Sequence, residues 1–175
     1  MPSGKTHDLI TLLLAPPTLV GAWFVTHNST LSALTAAAMV FGGLMFGPDL
    51  DTMSRQYTRW GPFRVFWYPY RVLFRHRSRL SHGLTLGTLI RVLYFSGVVA
   101  LLVFSGIYLR AALVGGGPPA FAEVVRAWRE VSNYVVLHTG EDAVLATFAG
   151  LWLGAASHTL ADVGWSILRK GSQIF

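Results

Sequence analysis

Four long stretches with almost no charge set the limits on what this chain can fold into. Residues 9–26 and 31–47 contain no acid, base or imidazole; residues 83–109 contain only Arg91, and residues 143–168 only His158 and Asp162. A helix crosses a hydrocarbon layer roughly 30 Å thick with about 20 mostly apolar residues. The pattern therefore predicts an all-α integral membrane protein, with four transmembrane helices plus interfacial amphipathic helices in one domain over residues 1–175. Composition points the same way. Charged residues make up 13% of the chain, against about 25% in an average soluble domain, and the mean hydropathy is +0.48. The absence of cysteine rules out disulfides, thiolate metal sites, iron–sulfur clusters and a cysteine nucleophile.

The first stretch is not read as a signal peptide, because it is long, is interrupted by Pro16-Pro17 and is followed by no small-x-small cleavage site. The proline pair predicts a kink or break. Orientation follows from the positive residues. Arg55, Arg59, Arg64, Arg71, Arg75, Arg77 and Arg79 lie between the second and third spans, on the same side as Lys5, Arg169 and Lys170. Both termini are thus expected in the cytoplasm. The segment 52–80 mixes these arginines with Trp60, Phe63, Phe66, Trp67, Tyr68, Tyr70 and Phe74, which suits headgroup depth and contact with anionic membrane lipid. Nucleic acid is not an expected partner, since lipid already accounts for this belt. On the opposite side, residues 120–138 place Phe121, Val124, Val125, Trp128, Val131 and Val135 at helical spacing, predicting an amphipathic helix on the membrane surface.

The ionisable residues then converge. His7 and Asp8 enter the first span, Asp49 and Asp51 follow Gly47-Pro48 at the exit of the second, His76 and His82 flank the start of the third, and His158 and Asp162 lie in the last part of the fourth. All fall at the cytoplasmic end. His158 and Asp162 are an i, i+4 pair on one helical face, and a membrane-embedded carboxylate costs about 2.5–3.5 kcal/mol on insertion scales unless partnered. A divalent cation would satisfy both. Asp49 and Asp51 point the same way if the backbone after Gly-Pro is extended. His76 and His82 sit about 120° apart on a straight helix, so a break between them, with Ser81 as N-cap, is needed to bring both to one centre. Each pair also has a plain structural reading: helix-ending aspartates in water, a hydrogen-bonded His–Asp pair, and interfacial histidines. Arg75, Arg77 and Arg79 serve either the positive-inside bias or an anionic substrate group above the metal. Arg91 either snorkels or marks where the hydrocarbon begins, near Val92. His27 and His138 are read as surface residues.

These motifs carry a resemblance. His7, Pro48-Asp49-Leu50-Asp51, His76-Arg77-Ser78-Arg79-Leu80-Ser81-His82 and Ser157-His158-Thr159-Leu160-Ala161-Asp162 resemble, in order and spacing, a bacterial family of uncharacterised metal-binding membrane proteins. More distantly, they are similar to inner-membrane proteins described as membrane-bound metal-dependent hydrolases. The resemblance implies a metal site of His7, Asp49, Asp51, His76, His82, His158 and Asp162, with Asp8 beside it, in a bacterial membrane. Two positions depart from the wider hydrolase group: Thr52 stands where His is common, and Gly83 where Ser is common.

Imidazole and carboxylate donors without thiolate suit zinc first, then manganese or iron. One ion does not use so many donors; two ions bridged by an aspartate do. The expected chemistry is hydrolysis of a phosphoester or lipid-like substrate, with Asp49 or Asp51 bridging and a further carboxylate as general base. The competing reading is a non-catalytic metalloprotein, its metal stapling the bundle, or a small subunit of a larger membrane complex or homo-oligomer. A transporter fits less well, because the acids gather at one end and trace no path across.

Overall fold

The computed structural model describes residues 3–74, 76, 78–114, 117 and 119–171. The described residues form helices and turns only: α1 (Gly4–Thr26), α2 (Ser29–Leu44), a 3-10 turn (Pro48–Asp51), α3 (Arg55–Thr58), a second 3-10 segment (Gly61–Trp67), α4 (Tyr68–Leu73), α5 (Arg79–His82), α6 (Leu86–Val114), α7 (Phe121–Thr139) and α8 (Glu141–Gly171). Four of these stretches are long and apolar enough to cross a membrane, including α1, α6 and α8 and the run that begins with α2.

The first helix starts earlier than hydropathy alone indicates. The Ser3 side chain caps it, accepting from the Thr6 N–H, so His7 is already helical. The Pro16-Pro17 pair does not end this helix. Each proline leaves one carbonyl of the preceding turn without its usual donor, yet α1 continues to Thr26. The chain then reverses in two residues: His27 adopts the left-handed conformation (φ 48°) and Asn28 Oδ1 accepts from the N–H groups of Thr30 and Leu31. α1 and α2 are thereby antiparallel neighbours.

α2 and α8 form the most closely packed pair, and glycine is the reason. A Cβ on Gly154 would lie 2.2 Å from the Met39 carbonyl, and one on Gly150 would lie 2.3 Å from the Thr35 carbonyl. Small residues let two helix backbones touch where lipid offers no competing hydrophobic drive. Gly43 does the same for α1, since its Cβ would sit 2.4 Å from Thr11 Oγ1. At the other end these three helices separate, leaving a cleft of about 770 Å³ lined by residues such as Leu14, Val25, Leu31 and Leu153.

The aromatic segment splits between two environments. Phe63 and Tyr68 are exposed, but Trp67 and Tyr70 are fully buried in a cluster with Phe46, Leu50 and Tyr57. Trp67 lies parallel to Phe95 (5.7 Å, 3°) and edge-on to Phe46 (5.4 Å), geometries favoured by the ring quadrupoles. Part of the expected headgroup belt is therefore protein core, because the short helices fold it back onto the start of α6. The break expected between His76 and His82 is present before α5, where Ser78 is not helical. Ser81 lies within α5 and does not cap the third long helix, which begins only at Leu86. Arg91 does not snorkel. It is 1% exposed, with Nη1 donating to the Ser81 carbonyl (2.7 Å) and Nη2 to Thr88 Oγ1 (3.1 Å). It thus fastens α5 to α6.

Candidate metal centre

Seven side chains singled out by sequence meet at one end of the helices. The ligand atoms of His7, His158 and Asp162 lie within 4.8 Å of one another, as do those of Asp49, His76 and His82. The first group stands on long helices, α1 and α8; the second stands on the turn after α2 and on the short segments before α6. Asp49 joins them. Its Oδ2 is 3.2 Å from His158 Nε2, and its Oδ1 is 3.5 Å from His82 Nε2. His7 Nε2 reaches Asp162 Oδ1 at 3.3 Å, and the His7 and His158 rings stack at 3.8 Å with 13° between their planes.

Asp51 belongs to neither group of three. Its side chain is fully buried, with Oδ1 2.9 Å from His76 Nδ1 and Oδ2 3.6 Å from His82 Nδ1. A carboxylate behind an imidazole fixes the ring's orientation and raises the basicity of the far nitrogen, as outer partners of metal ligands do. Asp8, expected among the ligands, is placed elsewhere. Its carboxylate takes a two-pronged contact from Arg59 and a third from Arg55 at 2.9 Å. Arg59 also donates to the Leu44 carbonyl at 2.8 Å. The physical reason is reach: on α1, Asp8 follows His7 by about 100°, which turns it toward α3 and away from α8. Asp8 ties the start of α1 to α3. Arg75 and Arg77 lie outside the described residues, as does the side chain of Arg79, so their proposed hold on an anion has no geometry here.

The residues present fit a cation on two counts. His7 Nδ1, Asp49 Oδ1, Asp51 Oδ2, His82 Nε2, His158 Nε2 and both oxygens of Asp162 are buried without a hydrogen-bond partner among the described residues. Buried polar atoms are seldom left so, and carboxylates least of all. The spacing also fits. Two ligands each about 2.1 Å from a tetrahedral ion stand about 3.4 Å apart; the His7–Asp162 contact of the first group is 3.3 Å and the His82–Asp49 contact of the second is 3.5 Å. These distances are long for hydrogen bonds and right for atoms sharing an ion.

Sequence reasoning passed over Gln56. It is 4% exposed; its Oε1 accepts from the Asp49 N–H at 3.1 Å and its Nε2 donates to the Gly43 carbonyl at 2.7 Å. Nε2 also stands 3.3 Å from His158 Nδ1. Nothing in the local pattern announced this, because Gln56 lies in a stretch that reads as interfacial. The one trace is Gly47, where a Cβ would sit 2.2 Å from Gln56 Nε2. Nearby, burial raises the Tyr70 phenol above its ordinary value, with the Arg91 guanidinium beside it pulling the other way.

Neither the curated proteins nor the solved structures searched contain a match. A family profile described as "uncharacterized metal-binding protein" matches residues 2–171, nearly the whole chain, so it covers every residue of the centre. The chain belongs to this uncharacterized metal-binding protein family (DUF2227).

Proposed function

We propose that the protein is an integral membrane hydrolase that holds two divalent ions, zinc by preference, at the cytoplasmic end of four membrane-crossing helices and cleaves a phosphoester of a lipid-like substrate. The observation that carries this reading is the position of Asp49 where the two groups meet, one oxygen facing His82 of its own group and the other facing His158 of the first. The positive residues of segment 52–80 and of both termini support the cytoplasmic assignment, and anionic lipid headgroups are the surroundings they fit. The ions would supply Lewis acidity and lower the pKa of a nucleophilic water.

The chain's own residues do the rest. Asp49 would lie between the sites. His7 and Asp162 would hold the first, while His76 and His82, backed by Asp51, would hold the second. Asp162 would ligate through Oδ1, which faces His7 at 3.3 Å, and its Oδ2, without a hydrogen-bond partner among the described residues, would take a proton from an attacking water. Side-chain exposure of 22% at Asp49 and 37% at His76 leaves the second group open to solvent. That openness favours chemistry over a sealed structural ion. The more distant likeness to metal-dependent hydrolases supports the same class.

The test is metal analysis with an activity assay on protein purified in detergent. Wild type is expected to carry about two ions per chain and to hydrolyse a chromogenic phosphoester in a metal-dependent way; Asp49→Ala is expected to lose both properties. Full metal content in Asp49→Ala would overturn the centre. A second reading, metal as a staple, draws on one observation: His7 and Asp162 meet where α1 reaches α8. Metal loss that lowers the unfolding temperature, with no hydrolysis of any phosphoester by the loaded protein, would favour it.

A further inference from the structure

His158 is not free to present a lone pair to the centre, and the restraint comes from Gln56. A backbone N–H can only donate and a backbone carbonyl can only accept. Asp49 N–H therefore requires the amide oxygen of Gln56 at 3.1 Å, and the Gly43 carbonyl requires the amide nitrogen at 2.7 Å. Exchanging the two would set oxygen against oxygen and donor against donor in a buried slot. The amide nitrogen has two hydrogens. Gly43 takes one, and the other faces His158 Nδ1 at 3.3 Å. A hydrogen on Nδ1 would oppose it, so Nδ1 keeps its lone pair and the neutral ring carries its hydrogen on Nε2.

Nε2 is the atom that faces the centre, 3.2 Å from Asp49 Oδ2 and 4.0 Å from Asp162 Oδ2, and hydrogen-bonded to neither. A neutral imidazole that ligates through Nε2 needs the reverse arrangement, with an Nδ1–H donated to an acceptor behind it. Gln56 offers a donor there. The ring plane is held as well, by its stack on His7.

We infer that His158 is a hydrogen-bond donor of the centre and not one of its metal ligands: its Nε2–H is aimed at an anionic oxygen of the phosphoryl group bound beside Asp49. The first ion would then be held by His7 and Asp162, whose facing atoms are 3.3 Å apart. A donor fixed in advance by Gln56 and His7 costs no reorganisation when negative charge grows on that oxygen. This assignment rests on the reading of the centre as a two-ion phosphoester site and names one contact to the substrate within it.

The experiment compares full-length wild type with Asp49→Ala, His158→Gln and His158→Ala, measuring metal per chain and the affinity of the metal-loaded protein for inorganic phosphate. Glutamine keeps an N–H near the place of Nε2 but has no imidazole lone pair. His158→Gln is expected to keep the wild-type metal content and phosphate affinity within about threefold; His158→Ala keeps the metal but binds phosphate at least about tenfold more weakly. Loss of an ion in His158→Gln, or unchanged phosphate affinity in His158→Ala, overturns the assignment. Metal retained by Asp49→Ala instead removes the two-ion centre itself, so the two failures are distinct. Should either His158 variant fail to fold, the imidazole ¹⁵N shifts of wild type decide. A hydrogen on Nε2 is expected, and a hydrogen on Nδ1 refutes the proposal.

Discussion

The two groups of three side chains use the same chemistry, two histidines and an aspartate each, on different supports. His7, His158 and Asp162 stand on helices of 23 and 31 residues, with both imidazoles buried. Asp49, His76 and His82 stand on a four-residue 3-10 turn, the connection between α4 and α5, and a four-residue helix, with His76 exposed. Long packed helices hold donors rigidly, while short segments open locally at little free-energy cost. The difference divides the labour expected of the centre: a tight, buried first site and a second site that faces solvent and exchanges its contents.

Asp49→Ala is the largest perturbation, because it removes the second group's carboxylate and its contact with the first group. Metal content should fall by about two ions per chain, with affinity lowered well beyond the roughly 10–100-fold typical of outer-shell changes. Retention of one tightly bound ion would break the comparison by showing the groups to be independent. Gly154→Val should come next. Its side chain must enter space where even a Cβ stands 2.2 Å from the Met39 carbonyl, and overpacking of this kind costs about 1–3 kcal/mol. Since α8 carries both His158 and Asp162, the first site should weaken together with thermal stability, while the second keeps its ion.

His76→Ala should be narrower, a loss in affinity confined to the second site and larger than the roughly tenfold of a mild outer-shell change, read as one weak and one unchanged step in a chelator titration. Two equal losses would mean the sites are not separable. Asp8→Asn should be the smallest. Its contacts with Arg55 and Arg59 are partly exposed, so about 1 kcal/mol of stability is at stake, with metal content unchanged. A drop in metal content would return Asp8 to the ligand set.

Much of the centre was legible in the linear chain. Hydropathy located the helices to within a few residues, and counting reversals put His7, Asp49, Asp51, His76, His82, His158 and Asp162 at one end. The chain could not show that Asp8 turns away, because adjacent helical residues diverge by about 100° and only the position of α3 decides which one meets α8. Gln56 was invisible for a similar reason. Its three partners, Gly43, Asp49 and His158, are up to 102 residues away, and a lone glutamine carries no periodic signal. The rule of hydropathy that succeeded elsewhere gave no sign that Arg91 and the Trp67 cluster are buried. That rule places a residue relative to a membrane and says nothing of burial against protein.

The sequence by itself determined an all-helical chain with four apolar runs and a set of imidazoles and carboxylates gathered at one end, since these follow from local hydropathy and chain direction alone. Only the tertiary structure decided which carboxylate stands between the two groups, which supports the imidazoles from behind and which pairs with arginine. Those roles depend on differences of an ångström or two in where α2, α8 and the short segments meet. Backbone contact at Gly43, Gly150 and Gly154 sets that spacing, and no local pattern encodes it.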